Sequence, residues 1–296
     1  MKLLLSASIF VMVLHAQTEP TGAGLERGTL PEHWATGGPD CQSLPKWETH
    51  AYNETFYILR ESGCTHYEKP FLYLIFGTRR ALLTDTGAGN PSTWKAVDET
   101  VAGYMRKHNL RQLPLTVVHT HGHDDHTAGD RDFSGHADVT VVPARVEELK
   151  KAFGIDRWPD GTGSLDLGNR VIESIPIPGH DSVSLAFYDA RTGILLTGDT
   201  LYPGRLYVED FRAYRASVQR LIRYTAHKPI AHILGNHIEQ TRTPYLDYPV
   251  ETKYQPQEHE LPLARAHLLE LDLALEGMQS HPVKTALRDF TVWPKP

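Results

Sequence analysis

Apolar residues in this chain gather in short runs that stop at polar or glycine-bearing turns, and the runs alternate between strand length and helical spacing. Runs at residues 55–59, 71–76 and 80–83, separated by Glu61-Ser62-Gly63 and Gly77-Thr78, predict an antiparallel opening. The polar stretch 62–70 between the first two carries Cys64, His66 and Tyr67 and is expected to form a flap. The third run ends at Asp85-Thr86-Gly87. Beyond it Trp94, Val97, Val101 and Met105 recur at helical spacing, which predicts a helix over 92–107. Strands follow at 115–118 and 139–142, then a helix at 144–153 whose Lys150 and Lys151 suit the negative end of its dipole. A glycine-bearing loop at 154–164 and three more apolar runs lead to a polar, Tyr- and Pro-rich segment at 239–259, expected to lie over a pocket mouth. A helix at 262–278 and a closing strand at 290–293 complete the order. In that helix Ala264, Leu268, Leu271, Leu275 and Met278 make one apolar face, and Pro262 is tolerated in the first turn. With 296 residues and no internal repeat, the pattern predicts an α/β fold in one large domain, taken as residues 47–296.

Composition and the first residues narrow the setting. Residues 1–16 hold one cation, Lys2, then an apolar run of about 12 residues and a small residue before Gln17. That is too short for a bilayer-spanning helix and suits a secretory signal peptide, so an exported, periplasmic or secreted protein is expected. Residues 17–46, rich in Pro, Gly, Thr and Ser, read as an irregular leader lying over the domain. A net charge of -6 without a Lys/Arg stripe argues against a nucleic-acid partner, and no second apolar run suggests a membrane span. In an exported chain the two cysteines, Cys41 and Cys64, are expected to form a disulfide that pins leader to flap.

One stretch stands apart from the core pattern. After the apolar run ending at Val118, four histidines and two aspartates fall within the eight residues 119–126. Burying so many titratable groups without a counter-charge is costly, and imidazole nitrogen with carboxylate oxygen suits zinc or a similar divalent ion. Gly122 lets His121 and His123 share one side of a turn, whereas adjacent Asp125 and His126 must point apart, an arrangement suited to two ions. The plain alternative is a solvated His-rich loop. Three later apolar runs weigh against it, because each stops at a glycine and a candidate ligand: Gly179-His180, Gly198-Asp199 and Gly235-Asn236-His237. Together they supply five imidazoles and two carboxylates, all at predicted strand ends, where a rigid scaffold presents functional groups.

The His-x-His-x-Asp-His signature at 121–126, with Gly-His180, Thr-Gly-Asp199 and Gly-Asn-His237, resembles the metallo-β-lactamase superfamily of hydrolases, in the dinuclear branch that includes glyoxalase II. The resemblance implies an αβ/βα sandwich, two mixed sheets face to face with helices outside. It also implies two divalent metal ions, zinc foremost with iron or manganese as alternatives. By it His121, His123 and His180 would bind the first ion, Asp125, His126 and His237 the second, and Asp199 would bridge them. Asp85-Thr86-Gly87 matches the family's supporting turn, and His119 reads as a strand-end support. Two departures stand out: Asn236 before His237, and Asp181-Ser182-Val183-Ser184 where Thr-Pro-Gly-Ser is usual.

The chemistry expected is hydrolysis, in which the ions activate a shared water towards an electrophilic carbonyl or phosphorus of a small-molecule substrate, with Asp125 and Asp199 as catalytic groups. A small ester, thioester or lactone is the expected substrate. A carboxylate at Asp199, where lactamases of the best-known class carry Cys, counts against a β-lactam. The other readings are a mononuclear iron persulfide dioxygenase on the same fold and a metal-binding surface protein. Tyr67, Trp158, Tyr202, Arg205, Tyr207, Arg242 and Tyr245 are the candidates for lining the pocket, with tyrosine hydroxyls offered to an oxyanion.

Overall fold

A computed structural model of the chain describes residues 24–295, apart from 36, 39, 90, 91, 279 and 280. The signal segment expected at 1–16 lies outside the described residues. Six strands pair in chain order as the first sheet: β1 (Trp47–Asn53), β2 (Phe56–Glu61), β3 (Phe71–Phe76), β4 (Ala81–Thr84), β5 (Leu115–Val118) and β6 (Val139–Val141). The first four are antiparallel. The helix α1 (Thr93–Lys107) then carries the chain back, so β5 and β6 add in parallel. Short helices α2 (Asp124–Thr127) and α3 (Asp130–Phe133) precede β6, and α4 (Val146–Phe153) follows it. The second sheet uses β7 (Gly163–Asp166), β8 (Val171–Pro176), β9 (Leu185–Asp189), β10 (Ile194–Gly198) and, beyond β10, β12 (His232–Gly235), in the order β12-β10-β9-β8-β7. Only its β10–β12 pair is parallel. A small third sheet joins β11 (Arg205–Val208), β14 (Thr291–Pro294) and β13 (Thr285–Ala286). Two longer helices, α5 (Phe211–Thr225) and α6 (Arg265–Gly277), complete the elements.

The layering follows from strands that are apolar on both faces. In β3, Phe71, Tyr73 and Ile75 enter the core between the sheets with Phe187, Leu196 and Leu234, whereas Leu72, Leu74 and Phe76 pack outward with Val97 and Tyr104 of α1. A strand of this kind must be covered twice. Across the second sheet, Tyr188 and Leu195 pack with Tyr214, Val218 and Leu221 of α5 and with Leu268, Leu271 and Leu275 of α6. The outcome is the αβ/βα sandwich of two mixed sheets that the motifs implied.

Several elements correct the expectation. β1 is a polar edge strand whose exposed face leaves little apolar signal, and β7 takes the end of the predicted loop 154–164. The helix α5 is additional to the expected elements, and Asp210 caps it by accepting from Ala213 N at 2.9 Å.

Residues 24–46 contain no helix or strand among those described, yet they are tied down. Thr29 N donates to Tyr52 O at 2.9 Å and Glu26 N to Arg191 O at 2.7 Å, and Trp34 is buried edge-on to Phe71. Cys41 and Cys64 form a disulfide across 23 residues of sequence, fixing this segment to 62–70. Closing a loop of that length stabilises by roughly 3 kcal/mol. Reduction should therefore lower the unfolding midpoint by about 5–10 °C. Thermal unfolding with and without reductant, alongside peptide mapping, checks this. An unchanged midpoint, or two alkylatable thiols before reduction, would contradict it.

Candidate metal centre

The four ligand-bearing segments each follow the end of a strand, one in the first sheet and three in the second. His121 and His123 follow β5, Asp125 and His126 ride on the single turn α2, His180 follows β8, Asp199 follows β10 and His237 follows β12. The glycine before each later ligand has a local cause. Gly179 and Gly198 have φ of +140° and +53°, and a Cβ on Gly179 would lie 2.3 Å from Tyr214 Cα. Gly235 makes room instead, since a Cβ there would sit 2.4 Å from Tyr202 Cβ.

Six of the seven side chains gather into two groups of three, and Asp199 lies between them. His121, His123 and His180 form one group whose candidate ligand atoms lie within 4.8 Å of one another, and Asp125, His126 and His237 form another. A third group, His121, His126 and Asp199, straddles both. Nε2 of His121 and Nε2 of His180 stand 3.0 and 3.1 Å from Nδ1 of His123, and Nε2 of His237 stands 3.3 Å from Nε2 of His126. Asp199 Oδ2 lies 3.9, 3.7 and 3.3 Å from Nε2 of His121, His180 and His237, while Oδ1 lies 3.6 Å from His126 Nε2.

Electrostatics divide the triads. Burial presses His121 and His180 below the usual imidazole range, so their lone pairs are free near neutrality. Burial pushes His126 and His237 the same way, but Asp125 and Asp199 overcome it and hold both above that range. Asp125 and Asp199 are in turn held well below the carboxylate range by these imidazoles, against the effect of burial. Asp199 Oδ1 remains buried with no hydrogen-bond partner. Imidazole nitrogens facing one another beside an orphaned carboxylate oxygen are what a bound cation would resolve, and the N/O donor set fits two divalent ions.

Three of the imidazoles, His180, His237 and His126, are aimed from behind. His180 Nδ1 donates to Tyr207 O at 2.8 Å and His237 Nδ1 to Glu68 O at 2.9 Å, leaving Nε2 towards the centre. Asp85, held at φ +65°, accepts from Thr120 N at 2.7 Å, from the Thr120 hydroxyl at 2.9 Å and from Asn236 Nδ2 at 2.7 Å. Its Oδ2 also stands 3.3 Å from His126 Nδ1. Asn236 thus joins the ends of β4, β5 and β12, and Asp181 accepts from Gly122 N at 2.9 Å. The two departures from the usual motif are therefore working supports. His119 is fully buried, with Nδ1 3.2 Å from His126 O, and supports the turn.

The residues expected to line the pocket are mostly placed otherwise. Tyr202 is buried, its hydroxyl donating to Arg205 O and to Glu239, and the Tyr207 hydroxyl accepts from Arg205 Nε. Arg205 is paired with Glu239, and Arg242 binds Glu32 O and His33. Tyr245 is 63% exposed, and Trp158 packs against the central core. The Tyr202 hydroxyl is thus committed within the fold rather than offered to an oxyanion. Tyr67 stays on the 62–70 segment, its phenol pushed up to about 12 by neighbouring Glu68. Glu61 is not among the residues the sequence marks for the site. Buried beneath this segment, it accepts from Ala88 N and the Thr65 hydroxyl, and burial pushes its carboxyl up to about 7. Its place at the end of a strand-like run disguised it as an ordinary turn residue.

The αβ/βα sandwich with paired His/Asp triads at its strand ends defines a class before any sequence comparison. A family model described as the metallo-beta-lactamase superfamily matches residues 70–231. With more than half of its length matched, the chain belongs to that superfamily. Curated relatives include a hydroxyacylglutathione hydrolase of Erythrobacter litoralis, 27% identical over 122 residues, covering 40% of this chain and 48% of that protein. The lactamase-like protein vrtG of Penicillium aethiopicum is 32% identical over 150 residues, covering 50% of this chain and 46% of that protein. The chain spans about half the length of the curated relatives it matches. Among solved structures, a metallo-beta-lactamase from Pontibacter korlensis superposes with a TM-score of 0.53 at 17% identity, over 78% of this chain and 99% of that one. At that identity the likeness is one of fold.

Proposed function

We propose that this chain is an exported hydrolase holding two divalent ions, zinc foremost. His121, His123 and His180 hold one, Asp125, His126 and His237 the other, and Asp199 lies between them. The observation that carries this reading is the Asp199 carboxylate, buried between two complete triads with one oxygen lacking a hydrogen bond. Ions held there would polarise an electrophilic carbonyl and make water nucleophilic near neutral pH. The chain supplies position and proton handling. His123 is exposed and Asp125 partly so, whereas the other five ligands are buried, so substrate approaches on that side. Asp125 is placed there to orient water and pass a proton to the leaving group. A mononuclear iron oxygenase would leave the second triad without a role. The Cys41–Cys64 disulfide supports export, because such bonds persist in oxidising compartments.

The substrate we propose is a small ester, thioester or lactone. A phosphodiester needs cations besides the metals for its spared oxygens, and the two that the sequence offered, Arg205 and Arg242, are engaged elsewhere. Export disfavours a glutathione thioester, which is chiefly intracellular. Measuring kcat/KM of the dizinc protein on a lactone, a thioester, a cephalosporin reporter and a bis-aryl phosphodiester, with metal content determined in parallel, tests this. We expect the lactone or thioester to lead by at least tenfold, about 1.4 kcal/mol of barrier. Preference for the cephalosporin would make the chain a lactamase despite Asp199, and one iron per chain would move it to the oxygenases.

A further inference from the structure

We infer that the buried Arg205–Glu239 ion pair is a positioning device for the metal centre, holding one ligand of each triad, His180 and His237, at a fixed separation, given the two-ion reading above. Glu239 belongs to none of the groups that could hold an ion, yet it follows His237 by two residues and ties the loop after β12 to the loop after β10. Its Oε1 accepts from Arg205 Nη2 at 2.6 Å, and its Oε2 accepts from Arg205 N at 2.8 Å and from the Tyr202 hydroxyl at 3.1 Å. Both side chains are almost wholly buried, at 5% and 11% exposure.

From this pair two arms reach the ligands. On one side the Tyr202 ring meets His237 edge-on, with centroids 5.5 Å apart. On the other, Arg205 Nε donates to the Tyr207 hydroxyl at 3.2 Å, and the carbonyl of the same Tyr207 accepts from His180 Nδ1 at 2.8 Å. Arg205 Nη1 also donates to Tyr248 O at 2.6 Å, anchoring the overlying 239–259 segment. An apolar pair of similar volume would often match a buried ion pair in stability, so stability alone gives this one little reason to exist. A charged fork bonded to a carboxylate does fix orientation, which packing alone does less well.

The test uses Glu239→Gln, the double variant Arg205→Met/Glu239→Met, and Tyr202→Phe, which deletes one hydroxyl and keeps the ring against His237. Zinc affinity is measured by chelator competition, and the visible absorption of each cobalt(II)-substituted protein is recorded. We expect the weaker-bound zinc to lose ~10–100-fold in affinity in the first two variants, with altered cobalt bands, and a smaller change of the same kind in Tyr202→Phe. Removing both charges together keeps the double variant informative if Glu239→Gln fails to fold. Parent-like zinc affinity and cobalt bands in the double variant and in Tyr202→Phe would overturn the inference even if the unfolding midpoint fell, because the pair would then be packing alone. A parent protein that binds only one cobalt would overturn the two-ion reading and this inference with it.

Discussion

Asp199→Ala is expected to lower kcat/KM by roughly 10²–10³ and metal content from two ions towards one per chain, the loss of about 3–4 kcal/mol of transition-state stabilisation. The carboxylate stands between both triads, within 4 Å of four imidazole nitrogens, and its Oδ1, 3.6 Å from His126 Nε2, has no hydrogen-bond partner among the described residues. A group in that position would neutralise both cations and set their spacing, so its removal leaves two like charges facing each other unscreened. Treating the parent with chelator should abolish activity, and adding zinc back should restore it. Metal analysis of the dialysed variant, with its steady-state rate on the best acyl substrate, decides the matter. If the alanine protein keeps two ions as tightly as the parent, Asp199 is no bridge.

The candidate site was more legible in the sequence than the scaffold that holds it. His121 to His126 are close in sequence, and His180, Asp199 and His237 each follow an apolar run and a glycine, so strand ends could be inferred before pairing was known. Strands buried on both faces, such as β3, announced themselves by unbroken apolar runs. Edge strands did not. β1 exposes one face and shares it with polar side chains, so no run marks it. The helix α5 was legible in principle, since Tyr214, Val218, Leu221 and Thr225 are buried at helical spacing behind the Asp210 cap. The polar aromatic cluster from Tyr202 to Tyr207 just before it masks that signal. The same cluster shows why lining residues resist sequence reading: Tyr202 and Arg205 are polar and near a ligand, but their partners Glu239 and Tyr248 come from a loop more than thirty residues on, a pairing that only the fold supplies.

Asp85→Ala is expected to cost on the order of 4 kcal/mol of stability and to weaken zinc binding by ~10–100-fold, although Asp85 belongs to neither triad. Its carboxylate is wholly buried and takes three hydrogen bonds, two from Thr120 and one from Asn236. Removing it strands the Thr120 amide, the Thr120 hydroxyl and one Asn236 donor, each a buried polar group left unsatisfied at about 1–3 kcal/mol. The effect on metal runs through His126. Its Nδ1 lies 3.3 Å from Asp85 Oδ2 and 3.3 Å from the Thr120 hydroxyl that Asp85 orients, so the ring loses what aims its Nε2 at the centre. Asp85→Asn separates side chain from backbone: asparagine tolerates the φ of +65° yet keeps only one acceptor oxygen. It should fall between parent and alanine in both stability and zinc affinity. Denaturant unfolding of the metal-free proteins gives the first quantity, and zinc competition of the folded proteins gives the second. An alanine variant within about 1 kcal/mol of the parent, binding zinc equally well, would show that Thr120 and Asn236 find other partners and that His126 holds its own orientation.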